Sequence, residues 1–183
     1  PNLDVKARVF FLVGSFSVHW VRPIKEYIPF WQTAFQCTLE AGNLHWHNYC
    51  VTFTRPQSIL FNNRNLDRIK EVNKDFYEMH RQSKDREVTL NQIFLLNFID
   101  SLHNVQTEPN QNLPNYNEKN YTVEMAAPGN YLMRTYYHTF NMVRSFVFED
   151  YDKALKSARL GMRIVIEVLG NLSDFVLRFF FLL

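Results

Sequence analysis

The stretch EAGNLHW, residues 40–46, combines a helix stop with a helix start. Glycine adopts the left-handed conformation that closes a helix, and asparagine is a good N-cap for the helix that follows. The same Gly-Asn pair recurs at Gly129-Asn130 and at Gly170-Asn171. Each pair is therefore predicted to join two helices by a tight corner.

The spacing of these corners indicates a repeat. A further corner is predicted at Asp85, which follows the polar run RQSKD, and the chain begins near another such point. Helix starts are thus expected near residues 2, 43, 85, 130 and 171, a period of about 42 residues. Periods of this length are typical of arrays of helical hairpins.

Within each unit, a second turn should separate two helices. Such turns are predicted in WVRPIK (20–25), FNNRNLD (61–67) and FEDYDKA (148–154). The second helices carry apolar residues three and four positions apart, which places them on one helix face. The predicted stripes are Ile24, Ile28, Trp31, Phe35 and Leu39; then Leu66, Ile69, Val72, Phe76 and Met79; and finally Tyr151, Ala154, Leu155, Ala158, Met162 and Val165.

The first helices, such as ARVFFLVGSFSVHW and LNQIFLLNFIDSL, are apolar nearly all round and are expected to be packed on both sides. Residues 104–120 lack an apolar period and are predicted to form a long loop, followed by a shortened helix that ends at AAPGN. The isolated Gly14 and Gly161 are interpreted as close-packing sites. The predicted fold is all-α: a tetratricopeptide-like solenoid of antiparallel helix pairs, forming a single domain over residues 1–183 that is a fragment of a larger protein.

The composition argues against some classes of function. Aromatic residues make up 16% of the chain and the formal net charge is only +2, with scattered Lys and Arg, which argues against a nucleic-acid-binding surface. Cys37 and Cys50 fit small buried hydrophobic residues of a cytoplasmic protein. No apolar run reaches the length of a membrane span. The tail FVLRFFFLL (175–183) is expected to pair with a second copy of the chain or with another helix, and the alternative of membrane association predicts liposome binding.

Two sequence clusters suggest chemistry, and both have simpler explanations. In HWH (45–47), residues two apart on a helix point in nearly opposite directions, so His45 and His47 are not expected to share a metal ion. Glu149, Asp150 and Asp152 in FEDYD fit a helix start, where carboxylates meet the positive end of the helix dipole. Neither a catalytic residue, a cofactor site nor a metal site is predicted.

Two groups of residues are candidates for partner contact. The first group is Trp46 and Tyr49 in the segment WHNY, together with the preceding His45. The second group is Arg134 and His138 in the segment RTYYHTF, together with the following Asn141, which form a polar side of this helix. The bound partner would be a protein or peptide. The aromatic residues of the second segment, among them Tyr136, Tyr137 and Phe140, are predicted to be core.

The succession KARVFFLVGSFSVHWVRPIKEYIPFWQTAFQCTLEAGNLHWHNYC, together with FEDYDKAL, resembles a known helical region. It is similar to the tetratricopeptide-like stretch of large bacterial signalling proteins that join a serine/threonine kinase, an AAA-type ATPase, a GAF domain and a sensor histidine kinase. The matching residues are His19, Trp20, Pro23, Leu39, Glu40, Gly42, Asn43, Tyr49, Cys50, Glu124, Asn130, Tyr151, Ala154 and Leu155. Two departures are Asn43 in place of aspartate, and FEDY in place of FGDY.

The resemblance implies a helical-repeat architecture and a place within a multidomain signalling protein. It implies no active site in this segment. It implies a scaffold or regulatory module whose partners are other domains of the same polypeptide. The alternative is an all-helical enzyme of α/α-barrel type acting on carbohydrate, in which aromatic residues bind sugar rings and acids transfer protons. That alternative requires a full ring of helix pairs, and about four and a half pairs are predicted here.

Overall fold

The computed structural model describes residues 2–61, 65–81, 85–103, 118–127 and 129–165, and in these ranges it contains helices and no strands. The all-α prediction is confirmed. The helices are α1 (Leu3–Leu12), α2 (Val18–Val21), α3 (Ile28–Glu40), α4 (Leu44–Phe61), α5 (Leu66–Arg81), α6 (Arg86–His103), α7 (Glu118–Met125), α8 (Tyr131–Val147) and α9 (Tyr151–Val165). A π-helical turn, Val13–Ser17, links α1 to α2, and a 3₁₀ turn, Ile24–Tyr27, leads into α3. None of the described helices is both long and apolar enough to cross a bilayer.

Several predictions lie outside the described residues. They are residues 62–64 of the turn FNNRNLD, residues 82–84 of the run RQSKD, the loop as far as residue 117, the corner at Gly170-Asn171 with its helix start, and the apolar tail with the homodimer that it would form. The shortened helix after the loop is observed as α7, which begins at Glu118, slightly earlier than expected.

Four of the predicted helix starts are observed, and at three of them the predicted side chain caps the helix. The Asn2 side chain accepts from the backbone amides of Asp4 and Val5, and Asn43 accepts from the Trp46 amide at 3.1 Å. Asp85 accepts from the Val88 amide at 3.2 Å. Asn130 is different: it precedes α8 without capping it, and its side-chain amide instead donates to the Glu124 carbonyl at 2.9 Å.

Gly42 and Gly129 both have positive φ, +63° and +94°, as the helix-stop reading requires. At the end of α3 the Gly42 amide donates to the Leu39 carbonyl and the Asn43 amide to the Thr38 carbonyl, each at 3.0 Å. These two bonds form a Schellman motif, which satisfies carbonyls that the helix end would leave unpaired.

By its internal contacts the chain divides into two compact units, Pro1–Gln92 and Ile93–Leu183, with the boundary inside α6. In the amino-terminal unit α3 packs on α1 and on α4. Its core includes Phe11, Ala34 and Cys50, with further aromatic rings packed around them. In the carboxy-terminal unit α8 packs along α9, and the core includes Phe94, Phe98, Tyr136 and Phe140.

The starts of three first helices are linked by hydrogen bonds in the amino-terminal unit. The Asn43 side chain at the start of α4 donates to Asp4 at the start of α1. The Asn48 side chain donates to Asp85, the cap of α6, at 2.8 Å. Farther along, Asn91 of α6 donates to the Thr52 carbonyl of α4. These bonds link α1, α4 and α6 within the amino-terminal unit.

The predicted apolar stripes are only partly buried. Trp31, Ile69, Ala154, Ala158 and Val165 are buried as expected. The outer members are not, because each stripe is wider than the surface that its neighbours cover: the exposed residues are Leu39, Met79, Tyr151 and Leu155. On α5 the buried face includes polar residues. Its buried members are Ile69, Asn73, Tyr77 and His80.

The prediction that first helices are packed on both sides is wrong for α1. Val5, Val9 and Leu12 are each about half exposed, because α3 and α4 cover only the side that holds Ala7 and Phe11. It fits α6, in which every residue of the range 91–96 is buried.

Gly14 lies where the π-helical turn meets α3. A Cβ atom added there would come within 2.9 Å of Trp31 Cδ1 and 3.0 Å of the Phe30 Cβ. Trp31 is buried and its indole donates to the Ser15 hydroxyl at 3.2 Å, so the ring has little freedom to move aside. The close-packing interpretation of Gly14 is confirmed, and Gly161 is likewise buried in α9.

Gly14→Ala is therefore expected to lower the free energy of unfolding of the amino-terminal unit by about 1–3 kcal/mol, the usual cost of overpacking. Urea denaturation followed by tryptophan fluorescence measures it, since all three tryptophans, Trp20, Trp31 and Trp46, lie in this unit. Ser17→Ala, at an exposed position of the same π-helical turn, is the control. A Gly14→Ala protein as stable as wild type would show that Trp31 moves aside at no cost.

Glu149 occupies the position at which the resembling family has glycine, and its φ is +61°. The Glu149 amide donates to Phe146 and the Asp150 amide to Ser145, which makes a second Schellman motif between α8 and α9. A side chain costs free energy in this conformation. A glycine at position 149 would adopt this conformation without that cost.

Glu149→Gly is expected to raise the free energy of unfolding of the carboxy-terminal unit by about 1 kcal/mol. Glu149→Ala is the matched control: it removes the same carboxylate but keeps the Cβ atom, and should change stability little. Hydrogen exchange in α8 and α9 measures both variants. Equal stabilisation by alanine would assign the effect to lost charge instead of backbone conformation.

Candidate partner-contact surfaces

The first candidate surface lies at the start of α4. His45 and Tyr49 are exposed and Trp46 is partly buried. Ring centroids are 5.0 Å apart for His45 and Tyr49 and 5.6 Å apart for Trp46 and Tyr49. The Arg8 guanidinium of α1 lies 5.3 Å from the Trp46 ring centroid and also pairs with Asp4. We call this group, His45, Trp46, Tyr49 and Arg8, the α4 aromatic surface.

The same rings are anchored to the core from behind. Phe11 of α1 contacts Trp46 edge-to-face at 5.7 Å, Tyr49 at 6.5 Å and Phe53 at 5.3 Å. Because an aromatic ring fixed in this way loses little conformational entropy on binding, it is well suited to contact a partner. Trp46 and Tyr49 therefore contact the core residue Phe11 while they form part of the surface.

The second candidate surface is the α8 polar stripe, formed by Arg134, His138 and Asn141. Their spacing of four and three residues places them on one face, and each is partly exposed. The Arg134 guanidinium lies 4.8 Å from the Tyr131 ring centroid. Its Nε atom is buried and has no hydrogen-bond partner in the described part of the chain. The other side of α8 holds the predicted core residues: Tyr136 and Phe140 are buried, and Tyr137 is partly buried against Phe94.

Burial, and next the Arg134 charge, lower the pKa of His138 below the usual histidine range. Because an unfolded histidine keeps its ordinary pKa of about 6.5, the unfolded chain binds the proton more readily than the folded one. Above the pKa of histidine in the unfolded chain, His138 therefore does not lower the stability of the fold. As the pH falls below that pKa, His138 lowers the stability. At neutral pH the α8 polar stripe presents a neutral imidazole beside a guanidinium.

NMR titration of the imidazole protons should give His138 an apparent pKa below 6.5, with the stability of the carboxy-terminal unit falling on acidification. Arg134→Gln should raise that pKa only in part, because burial is the larger cause. A full return to the free-histidine value in Arg134→Gln would make the charge, and not burial, the main cause.

The HWH motif places its two histidines on different sides of α4, as the spacing predicts. His45 is exposed beside Tyr49. His47 is buried: its ring is tilted against Phe35 at 4.6 Å and stacked on His80 at 5.7 Å. Within the described ranges, no three His, Cys, Asp or Glu side chains come together in a way that could hold a metal ion.

The acidic cluster FEDYD has a capping role. Asp150 accepts from the Lys153 amide at 3.2 Å and pairs with the Lys153 ammonium. These hydrogen bonds, from the side chain and the backbone of Lys153, lower the pKa of Asp150. Glu149 and Asp152 are exposed. The helix-start interpretation holds for Asp150, which caps α9, and for Asp152 in its first turn, whereas Glu149 belongs to the end of α8.

Both cysteines are buried and unpaired with each other. Burial raises the pKa of the Cys50 thiol to about 12, so the thiolate that a nucleophile needs is disfavoured.

Two contacts of α4 side chains could not be predicted from the sequence. The contact of Arg8 with Trp46 joins different helices, and so does the stacking of His47 on His80. Neither has a local sequence pattern, although the buried positions His47, Val51 and Thr54 follow helical spacing on α4. Comparisons of this chain with protein-family models, with curated proteins and with solved structures found no match.

Proposed function

We propose that this chain is a noncatalytic helical-repeat module that acts as a scaffold or regulatory contact within a multidomain bacterial signalling protein of the kinase and ATPase type. Its architecture would be a tetratricopeptide-like solenoid with a period of about 42 residues. Its partners would be other domains of the same polypeptide. The proposal rests on the resemblance together with the geometry of the amino-terminal unit.

The observation that carries the proposal is the linked starts of α1, α4 and α6. Asp4 with Asn43, and Asn48 with Asp85, connect equivalent ends of successive first helices. In helical-repeat proteins successive units contact their neighbours in this way, and the solvent face of such a layer is available for binding. The α4 aromatic surface and the α8 polar stripe are the candidate contacts.

The α/α-barrel alternative receives no specific support in the described ranges. Asp150 of FEDYD caps α9 and pairs with Lys153, so it is engaged in helix structure. A carbohydrate enzyme of this type would instead need a pair of carboxyl groups facing a common substrate.

Two experiments test the proposal. The first is the reading frame of the gene, which should encode kinase or ATPase motifs before this segment and histidine-kinase motifs after it. The second is calorimetric titration of this chain with the separately produced flanking domains. Tyr49→Ala and Arg134→Ala should each weaken any such binding about tenfold or more, as expected for interface hot spots.

Glu71→Ala and Arg159→Ala, at exposed positions of α5 and α9, are the matched controls and should leave binding unchanged. A stop codon directly after this segment, with no kinase or ATPase motif before it, would refute the multidomain context. Binding that Tyr49→Ala and Arg134→Ala leave unchanged would refute the two contact surfaces.

A further inference from the structure

Two buried histidines of the amino-terminal unit pack with two phenylalanines in a cluster of four rings. His47 of α4 and His80 of α5 are only 2% and 3% exposed. Phe35 of α3 lies 4.6 Å from the His47 ring, and Phe76 of α5 lies 6.4 Å from the His80 ring. Phe35 and Phe76 meet edge-to-face at 5.4 Å, and the two imidazoles are stacked at 5.7 Å. We call these four residues the four-ring cluster.

The cluster is where α5 meets its neighbours. Phe35 with Phe76, and His47 with His80, join α5 to α3 and α4. The Thr38 hydroxyl lies 3.3 Å from His47 Nδ1, and the Thr89 hydroxyl of α6 donates to the His80 carbonyl at 3.3 Å. A change in charge at either imidazole therefore acts on the contact that holds α5.

We infer that the four-ring cluster is a pH-sensitive latch, which holds α5 against α3 and α4 while both imidazoles are neutral and loosens α5 when they take up protons. Protonating either imidazole buries an imidazolium against a phenyl ring and the other imidazole, and the loss of hydration is unfavourable for a charged group. Two imidazolium rings stacked at this distance also repel each other. Histidine is the side chain whose charge changes in the physiological pH range.

Other titratable groups on the packed elements must be considered. On the described parts of these elements they include Cys37 and Glu40 on α3, His45, Tyr49 and Cys50 on α4, Asp67, Arg68, Lys70, Glu71, Lys74, Asp75, Tyr77, Glu78 and Arg81 on α5, and Asp85, Arg86 and Glu87 at the start of α6. Asp85 is engaged by Asn48, and Glu78 pairs with Arg81 at the surface. Burial and the nearby Asp85 raise the pKa of Glu87, so Glu87 is the group whose titration must be separated from that of the histidines.

The test is the stability of the amino-terminal unit between pH 7.5 and 5.5, from urea denaturation followed by tryptophan fluorescence. An imidazole kept neutral in the folded state lowers the folding equilibrium about tenfold over this range, because the unfolded chain takes up the proton. We expect a loss of about tenfold to a hundredfold for the wild type. His47→Phe and His80→Phe should each reduce that loss about tenfold.

His45→Phe, which changes an exposed histidine of the same helix, and Glu87→Gln are the controls, and both should retain the full wild-type loss. The inference is overturned if His47→Phe and His80→Phe lose as much stability on acidification as wild type, or if Glu87→Gln alone removes the loss.

A second measurement, on the unaltered chain, keeps the inference testable where a variant does not fold. Hydrogen exchange of peptides from α5, corrected for the intrinsic effect of pH, should accelerate about tenfold or more between pH 7.5 and 5.5 relative to peptides from α1. Unchanged relative protection of α5 would overturn the latch. This inference concerns the stability of one helix and stands independently of the proposed scaffold role.

Discussion

Phe11→Ala is expected to lower the free energy of unfolding of the amino-terminal unit by about 3–5 kcal/mol, the usual cost of deleting a buried phenyl ring. Phe11 is 2% exposed and makes edge-to-face contacts with four aromatic rings. Their centroids lie between 5.3 and 6.5 Å away, and the rings are those of Phe16, Trp46, Tyr49 and Phe53. The cavity left by alanine would be bordered by rings that are themselves held by other helices, so it cannot collapse easily.

Urea denaturation followed by both tryptophan fluorescence and far-UV circular dichroism measures this effect. Two signals are needed because Trp46 contacts Phe11 and its emission will change in the variant. Val9→Ala, on the same helix at a position 50% exposed, is the control and should cost less than about 1 kcal/mol. Similar losses in the two variants would mean that α1 does not depend on this aromatic contact.

Helix boundaries could be predicted from the sequence because they depend on nearby residues. Gly42 with Asn43 ends one helix and caps the next using only local backbone and side-chain bonds. Asn130 shows the limit of such reasoning: the helix starts where expected, but the side chain bonds to Glu124 at the end of α7 instead of capping. A competing acceptor brought close by the fold is not visible in the local pattern.

Buried faces were harder to predict, because burial depends on which neighbour covers a helix. Apolar periodicity correctly placed Trp31 and Ile69 in the core but also placed Leu39 and Met79 there, which are each 45% exposed. On α5 the polar residues Asn73 and His80 are buried instead, and His80 stacks on His47 of α4. Polar residues carry no signal for burial unless their partners are known.

For the candidate contact residues, exposure could be predicted from the sequence but contacts between helices could not. His45 and Tyr49 are exposed and Trp46 is partly exposed, so their surface position agrees with the contact role expected of them. That Trp46 also packs on Phe11 and under Arg8 could not be inferred, since both residues belong to α1. A surface assembled from two helices needs the fold before its full membership can be stated.

Phe140→Ala should have the corresponding effect in the carboxy-terminal unit, a loss of about 3–5 kcal/mol. Phe140 is fully buried, and its ring meets Phe98 at 4.5 Å and Phe94 at 5.8 Å, both edge-to-face. Through these contacts α8 is held to α6, while residues nearby on α8 pack on α9. Phe146→Ala is the matched control, because it deletes the same ring from the same helix at a position 41% exposed.

The carboxy-terminal unit contains no tryptophan, so fluorescence does not report on it. Hydrogen exchange of peptides from α8 and α9 distinguishes the two variants instead. In Phe140→Ala the slowest amides of α8 should exchange a hundredfold or more faster, which corresponds to at least about 2.7 kcal/mol. In Phe146→Ala the change should stay below about tenfold, since an exposed ring leaves no cavity. Phe140→Leu, which refills most of the space, should fall between them. If all three variants exchanged alike, α8 would be held by its packing on α9 alone and not by the aromatic contact with α6.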